Sequence, residues 1–378
     1  MQARAMLIGV DASRAVAAQM TGTEVYSRNL IRELVQLHSH VRYRLYFREV
    51  PPANLAPMSS NIESRIIRLP GLWTHLGLSW EVTRYPPDLL FIPAHVVPAV
   101  RRCPTVVTIH DVGYLDHRDA YPRTRWWYLH LSTLFSVRVA ALVITDSHAT
   151  KAELGARYGI GADKIRVVHL ACDPSFAPVE SPQVLSGVRA RYGIHADYFL
   201  FLGTLQPRKN IAGLLAAFAE FKAWTGSKHK LVLAGRKGWL YEAIYDMLRK
   251  LQLSNDVIFA GYVPDQDLPA LISGAIALVF PSFHEGFGLP ALQAMSCGTP
   301  VIASNVSSLP EVVGDAGLLA DPYDPSKLAQ AMATVASDGF LRRELRRRGL
   351  ERARRFSWAK CAAETFKVFE EVVGRASS

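Results

Sequence analysis

A single rhythm limits what this chain can fold into: short apolar runs rich in β-branched residues, each followed by a turn and a longer helical pattern. MLIGVD leads to TEVYSRNLIRELVQL; YRLYF, PDLLFIP and PTVVTIHD follow; ALVITD precedes SHATKAELGARYG, where Ser147 can cap the helix. Such alternation describes parallel strands covered by helices on both faces. Between Ala171 and Ala196 the texture changes, and Pro174, Pro178 and Pro182 are expected to interrupt regular structure and form a linker. The alternation then restarts, with YFLFLG before NIAGLLAAFAEFKAW, KLVLAG before WLYEAIYDMLRKL, DVIFAGYV before DLPALISGA and IALVFPS before PALQAMSCG; TPVIAS and GLLADP read as late strands. The expected fold class is α/β, with doubly wound Rossmann-like domains over residues 1–178 and 190–356 and a terminal helix over 357–378. Ligands are expected at the carboxyl ends of the strands and in a cleft between the domains.

A length of 378 residues suits two such domains, and no low-complexity tract or short repeat points elsewhere. The start, MQARAMLIGVDASRA, has an apolar run too short for a signal-peptide core, and no later segment approaches a membrane span. A cytoplasmic protein is the expectation. Cys103, Cys172, Cys297 and Cys361 lie far apart without a CxxC pair, which fits reduced structural thiols better than zinc ligands or disulfides. A formal charge of +10 admits a polyanion, an anionic membrane surface or a phosphorylated small molecule. The densest basic run, LRRELRRRGLERARRF, reads as an exposed amphipathic helix or as a patch with a partner of its own. No helix-turn-helix or RNA-recognition signature is present, so a nucleic-acid partner is not expected.

Chemistry concentrates at a few strand exits. In HEGFGLPALQAMSCGTP the carboxylate of Glu285 precedes a glycine-rich turn, and Pro290 is expected at the first helical position. The N–H groups of Gly286, Phe287, Gly288 and Leu289 would then stand at the positive end of a helix, where a polyhydroxylated or anionic ligand can dock. Gln293, one helical turn further on, can face the same ligand; alternatively, Glu285 merely complements the helix dipole and Gln293 is a surface amide. FLFLGTLQPRKNIAGLL puts Arg208 and Lys209 between a strand and a helix, as a diphosphate clamp or as a solvated loop. In the first half Gly22 and Thr23 precede a helix, and His110 ends a buried strand, either as a satisfied core histidine or as a hydrogen-bonder to substrate. There is no P-loop pattern and no G-x-G-x-x-G fingerprint.

Taken together, HEGFGLPALQAMSCGTPVIASNVSSLPEV, LGTLQPRKN, AGRKGW, GYVPDQDL and TGTEVYSRNL resemble family 4 of the retaining GT-B glycosyltransferases over nearly the whole chain. The resemblance implies a sugar-nucleotide donor held by the second domain, an acceptor entering over the first, and a last helix that returns to pack on the first domain. Glu285 matches the first glutamate of the family's E-x7-E motif, which would stabilise positive charge on the donor sugar. Arg208 and Lys209 match the pair that neutralises the leaving diphosphate, so neither metal nor cofactor is implied. Gly22, with Thr23 beside it, matches the glycine loop over the phosphates, His110 a contact to the donor sugar, and Val263 a backbone contact to the nucleobase. Gln293 departs from the motif's second glutamate, losing a charge and gaining two donors. That puts nucleotide choice in question more than the reaction.

The segments LGTLQPRKN and AGRKGW look like the mannosyltransferase-rich part of the family, making GDP-mannose the first expectation for the donor. A glycan or lipid-linked acceptor is implied, and YPRTRWWYLHLSTLFSVRVAA mixes arginines with Trp126, Trp127 and Tyr128 as a membrane-interface helix or a core helix with a charged face would. Alternatives are a GT-B nucleotide-sugar epimerase, which would need acid/base carboxylates in the cleft, and a non-catalytic relative.

Overall fold

The computed structural model describes residues 5–16, 22–51, 61–116, 118, 122–236, 238 and 242–377. The chain divides into two compact units, residues 1–171 with 357–378, and residues 172–356.

The first unit is built on β1 (Leu7–Asp11), β2 (Arg42–Phe47), β3 (Ile62–Ile66), β4 (Leu89–Ile92), β5 (Thr105–Ile109), β6 (Leu142–Thr145) and β7 (Ile165–Val167). These form one parallel sheet in the order β3-β2-β1-β4-β5-β6-β7 among the described residues. The order reverses between β1 and β4, where Ile8 pairs with Leu89. Central strands are buried throughout, as LIGVD, LLFI, TVVTI and LVIT are, because helices cover both faces. The edge strand IESRI is instead polar and half-exposed, which blunts an unpaired edge.

The second unit repeats the plan with β8 (Tyr198–Leu202), β9 (Lys230–Ala234), β10 (Val257–Gly261), β11 (Ala277–Phe280), β12 (Val301–Ser304) and β13 (Leu318–Ala320). Its parallel order is β10-β9-β8-β11-β12-β13, reversing between β8 and β11, where Leu200 pairs with Leu278. Both units therefore have a switch point, at which neighbouring strands send their exit loops to opposite faces and leave a crevice.

The proline-bearing stretch is not irregular throughout. Pro182–Arg191 is a helix capped by Ser181, whose hydroxyl accepts the Val184 N–H. Pro182 occupies the first turn, where its missing N–H costs nothing. Residues 172–178 group with the second unit, where the Val179 N–H donates to Ser273 Oγ at 3.0 Å. The arginine-rich segment is the helix Gly339–Ala353, with Leu345 buried and Arg347 and Arg348 both paired with Glu344. Beta3, β7 and the helical turns over Thr74–Arg84 were not anticipated, since IESRI lacks an apolar face and IRV is too short to signal.

The helix Trp358–Ser377 completes the core of the first unit. Phe366 stacks on His38 with ring centroids 3.6 Å apart, and the fully buried Phe369 meets Phe91 at 5.0 Å. At the rim, Arg166 Nε donates to Glu371 at 2.9 Å. Replacing Phe369 by Ala should cost about 3–5 kcal/mol through lost burial and a residual cavity, seen as a lower urea midpoint for the intact chain.

Candidate active site

At the switch point of the second unit, the exits of β8 and β11 meet. After β8 comes the turn Pro207–Lys209, and after β11 the loop that carries His284 and Glu285. The two are laced together: Phe283 N–H donates to the Arg208 carbonyl at 2.9 Å, and the Arg208 guanidinium donates to the His284 carbonyl at 3.0 Å. Glu285 is 6% exposed, and its Oε1 accepts directly from the buried Lys209 ammonium. Arg208 Nη1 lies 3.8 Å from Oε2. Two constellations that are 76 residues apart in sequence form one ion cluster.

Burial alone would raise the Glu285 carboxyl; the Lys209 and Arg208 charges and the Lys209 hydrogen bond outweigh it and hold the carboxyl below its ordinary value. Lys209 in turn lies 4.9 Å from the centroid of the Phe280 ring. Its position is fixed by Asn210, which adopts a left-handed conformation at φ 55°. The Asn210 side chain accepts the Gly213 N–H at 3.1 Å and donates to the Pro322 carbonyl at 2.7 Å, capping the helix Ile211–Thr225.

Beyond Glu285 the chain runs through Gly286 and Phe287 to Gly288, the N-cap of the helix Leu289–Ser296. Leu289 takes the first helical position and Pro290 the second, one place later than expected. Gly288 has φ 101°, and a Cβ there would lie 2.6 Å from Leu309 Cδ2, so a glycine is required. Gln293 is half-buried one turn into the helix, with no hydrogen bond to Glu285 among the described residues. On the other side of β8, Gly235 ends β9 so close to the Gly203 carbonyl that a Cβ would lie 1.9 Å from it. Val263 is buried just past the end of β10, two strands from β8 and so about 10 Å along the sheet.

Gly22, Thr23 and His110 belong to the first unit. Gly22 opens the helix Gly22–Leu37, with Thr23 accepting from Ser27 Oγ at 2.9 Å; residues 17–21 of the same loop lie outside the described residues. His110, at the exit of β5, has Nδ1 2.7 Å from Asp146 Oδ2 and Nε2 2.9 Å from the Pro93 carbonyl. Burial would depress the imidazole, but the Asp146 carboxylate and the Pro93 carbonyl raise it above its ordinary value. Both nitrogens are thus occupied within the protein, and they tie the exit of β5 to those of β4 and β6. His95 was not anticipated: it sits at φ 44°, its ring 5.5 Å from His110, and burial with the His110 charge pushes it down to about 4.

Nor were Ser307 and Ser308, whose hydroxyls reach back 22 and 23 residues to the Glu285 main chain. A serine pair ahead of Pro310 reads locally as helix capping, which hides that longer reach. Burial pushes the Cys172 and Cys297 thiols up to about 12, which suits inert structural cysteines.

Residues 193–355 match the family described as Glycosyl transferases group 1, and residues 20–176 match Glycosyltransferase Family 4. Over 266 residues the chain is 38% identical to O-antigen chain mannosyltransferase B of Escherichia coli, covering 70% of each protein. The chain belongs to the family 4 glycosyltransferases. This glycosyltransferase is also 32% identical to the serotype-specific mannosyltransferase WbdA of Escherichia coli over 277 residues, which span 72% of the chain but only 33% of that relative. Among solved structures, sucrose-phosphate synthase from Thermosynechococcus elongatus aligns with TM-score 0.76 at 22% identity, covering 99% and 100% of the two chains. HepE of Anabaena, in complex with UDP and glucose, aligns with TM-score 0.75 at 19% identity, covering 97% and 100%. That likeness shows the fold, which is GT-B. No helix of the described residues is long and apolar enough to cross a membrane.

The ion cluster makes the pH response of this glycosyltransferase specific. A depressed folded-state pKa means that Glu285 contributes stability above the unfolded value of about 4.3, lost as pH falls through the folded value. Lys209→Met removes the direct counter-charge, so burial dominates and the carboxyl moves upward. The variant should therefore reverse the slope: it is destabilised by up to about 3–5 kcal/mol where the carboxylate stays ionised and regains stability as acid protonates it, whereas wild type only loses stability on acidification; melting curves from roughly pH 4 to 8 would check it.

Proposed function

We propose that this glycosyltransferase transfers mannose from GDP-mannose to a glycan or lipid-linked acceptor, with retention of anomeric configuration and without a metal ion. The observation that carries the reading is the buried cluster of Glu285, Lys209 and Arg208 at the crevice of the second unit. Similarity to proteins named as O-antigen and serotype-specific mannosyltransferases supports mannose as the sugar.

In this mechanism the donor diphosphate takes up the charges of Arg208 and Lys209, which supply the neutralisation that a divalent cation would otherwise provide. As the glycosidic C–O bond breaks, positive charge grows on the sugar ring and electrons pass to the departing diphosphate. The ionised Glu285, already held in a dehydrated site, stabilises that charge without moving a proton. The acceptor hydroxyl attacks from the face that the diphosphate leaves, and its proton passes to a phosphate oxygen. Main-chain groups from Gly286 to Leu289 bind sugar hydroxyls or phosphate oxygens at the helix start, with Gln293 toward the ribose and Val263 toward the base. With GDP-mannose as donor, Glu285→Gln should reduce turnover at least about 100-fold when assayed well below its melting transition, which falls because Lys209 loses its counter-charge, and a chelator should leave wild-type turnover unchanged. Full activity of the variant would remove the role of Glu285; a sharp loss on chelation would remove metal independence.

Peripheral contact with the inner face of a membrane belongs to the same proposal. Leu72, Leu76 and Trp80 recur every four residues and are 66%, 57% and 65% exposed, with exposed Arg68 and Arg84 at either end. On the helix Arg123–Val139, Trp127, Tyr128 and Leu131 also face solvent beside Arg123 and Arg125. Exposed aromatic and aliphatic groups with flanking arginines suit the boundary between acyl chains and anionic headgroups. The chain should co-sediment with vesicles containing anionic phospholipid, and Leu76→Glu with Trp80→Glu should release it; binding that ignores both changes would count against this surface.

A further inference from the structure

Three serines at the exit of β12 fasten the loop that carries Glu285. Ser304 Oγ donates to the Ser282 carbonyl at 2.7 Å, and the fully buried Ser308 Oγ donates to the Glu285 carbonyl at 2.9 Å. Ser307 does more: its single hydroxyl accepts the Glu285 N–H at 3.2 Å and donates to the Glu285 carbonyl at 2.7 Å. Both peptide groups of the one residue are therefore held by one side chain. Ser307 makes this contact from a left-handed backbone at φ 58°, a conformation that glycine adopts without strain and serine does not.

A backbone outlier that a smaller residue would relieve, at a side chain with two bonds to the site, points to a retained strain with a use. We propose that Ser307 is a positioning residue for the glycosyl transfer, with Ser308 as its support: the hydroxyls fix the Glu285 main chain so that the carboxylate stands where charge develops on the donor sugar. The contacts are to the main chain, so they set where the Glu285 side chain starts. Lys209 and Arg208 set where it ends. Without the hydroxyls the carboxylate would still be paired but free to shift with its loop, which lowers turnover more than donor binding.

This inference rests on the role proposed for Glu285, and the strain at φ 58° supplies a test that separates positioning from folding. Ser307→Gly relieves the strain and removes both hydrogen bonds. It should melt at or near the wild-type temperature, yet lower kcat about 10- to 100-fold with little change in donor KM. The donor is GDP-mannose, or whichever nucleotide sugar the wild-type chain consumes. Ser307→Asn tolerates the left-handed backbone and restores a donor and an acceptor, so it should recover part of the loss. Ser308→Ala should show a smaller fall in kcat. Wild-type turnover in Ser307→Gly would overturn the proposal, as would losses that simply follow melting temperature across the three variants. Glu285→Gln separates the readings: if it is inactive while Ser307→Gly is fully active, only the positioning role fails; if it is itself fully active, the role of Glu285 fails and the positioning role with it.

Discussion

A carboxylate buried to the extent of Glu285 needs a counter-charge, and that requirement governs the second unit. The partner comes from a strand exit 76 residues earlier, so the pair forms only if β8 and β11 lie side by side with their exits at one edge. Parallel order supplies that arrangement, and the reversal at the switch point opens room for a ligand beside it. The salt bridge is thus a poor source of stability and a good reporter of geometry, since removing either partner leaves an expensive charge behind. A family 4 glycosyltransferase with this cluster holds the three charges in place through its own strand exits.

Left-handed backbone in residues other than glycine gathers around the same features. Asn210 follows Lys209, Ser307 holds Glu285, and His95 packs against His110; these are three of the five such residues among those described. At each, a side chain gains hydrogen bonds or a ring contact from a conformation that disfavours it. Sites that demand accuracy are where such local conflicts persist, because the surrounding structure over-determines them.

Much of the fold could be read from the order of apolar runs, because parallel strands buried on both faces leave near-continuous Val, Leu and Ile stretches. LIGVD, TVVTI, LVIT and ALVF all say so. What failed to show was structure without that signature: IESRI at a sheet edge, IRV with three residues, and a helix that begins at Pro182. Of the candidate site, Glu285, Arg208 and Lys209 were visible as charged groups at strand exits, yet nothing in either segment says that they touch. Ser307 was invisible for a different reason. A serine ahead of a helix has an ordinary local explanation, and its actual bonds depend on how β11 and β12 pair. His110 was legible as a buried strand-end histidine, while the saturation of both its nitrogens depends on Asp146 and Pro93, which arrive from other strands.

The terminal helix has a consequence for how the chain is made. Trp358 to Ser377 packs with Phe366 on His38 and Phe369 on Phe91, so the first unit's core includes residues translated after the whole of the second. The second unit is continuous in sequence and can close as soon as it clears the ribosome. The first must wait with an incomplete apolar face through the synthesis of residues 172–356. Folding order is therefore the reverse of sequence order: the unit that carries the buried ion cluster is finished before the unit whose strands were made first.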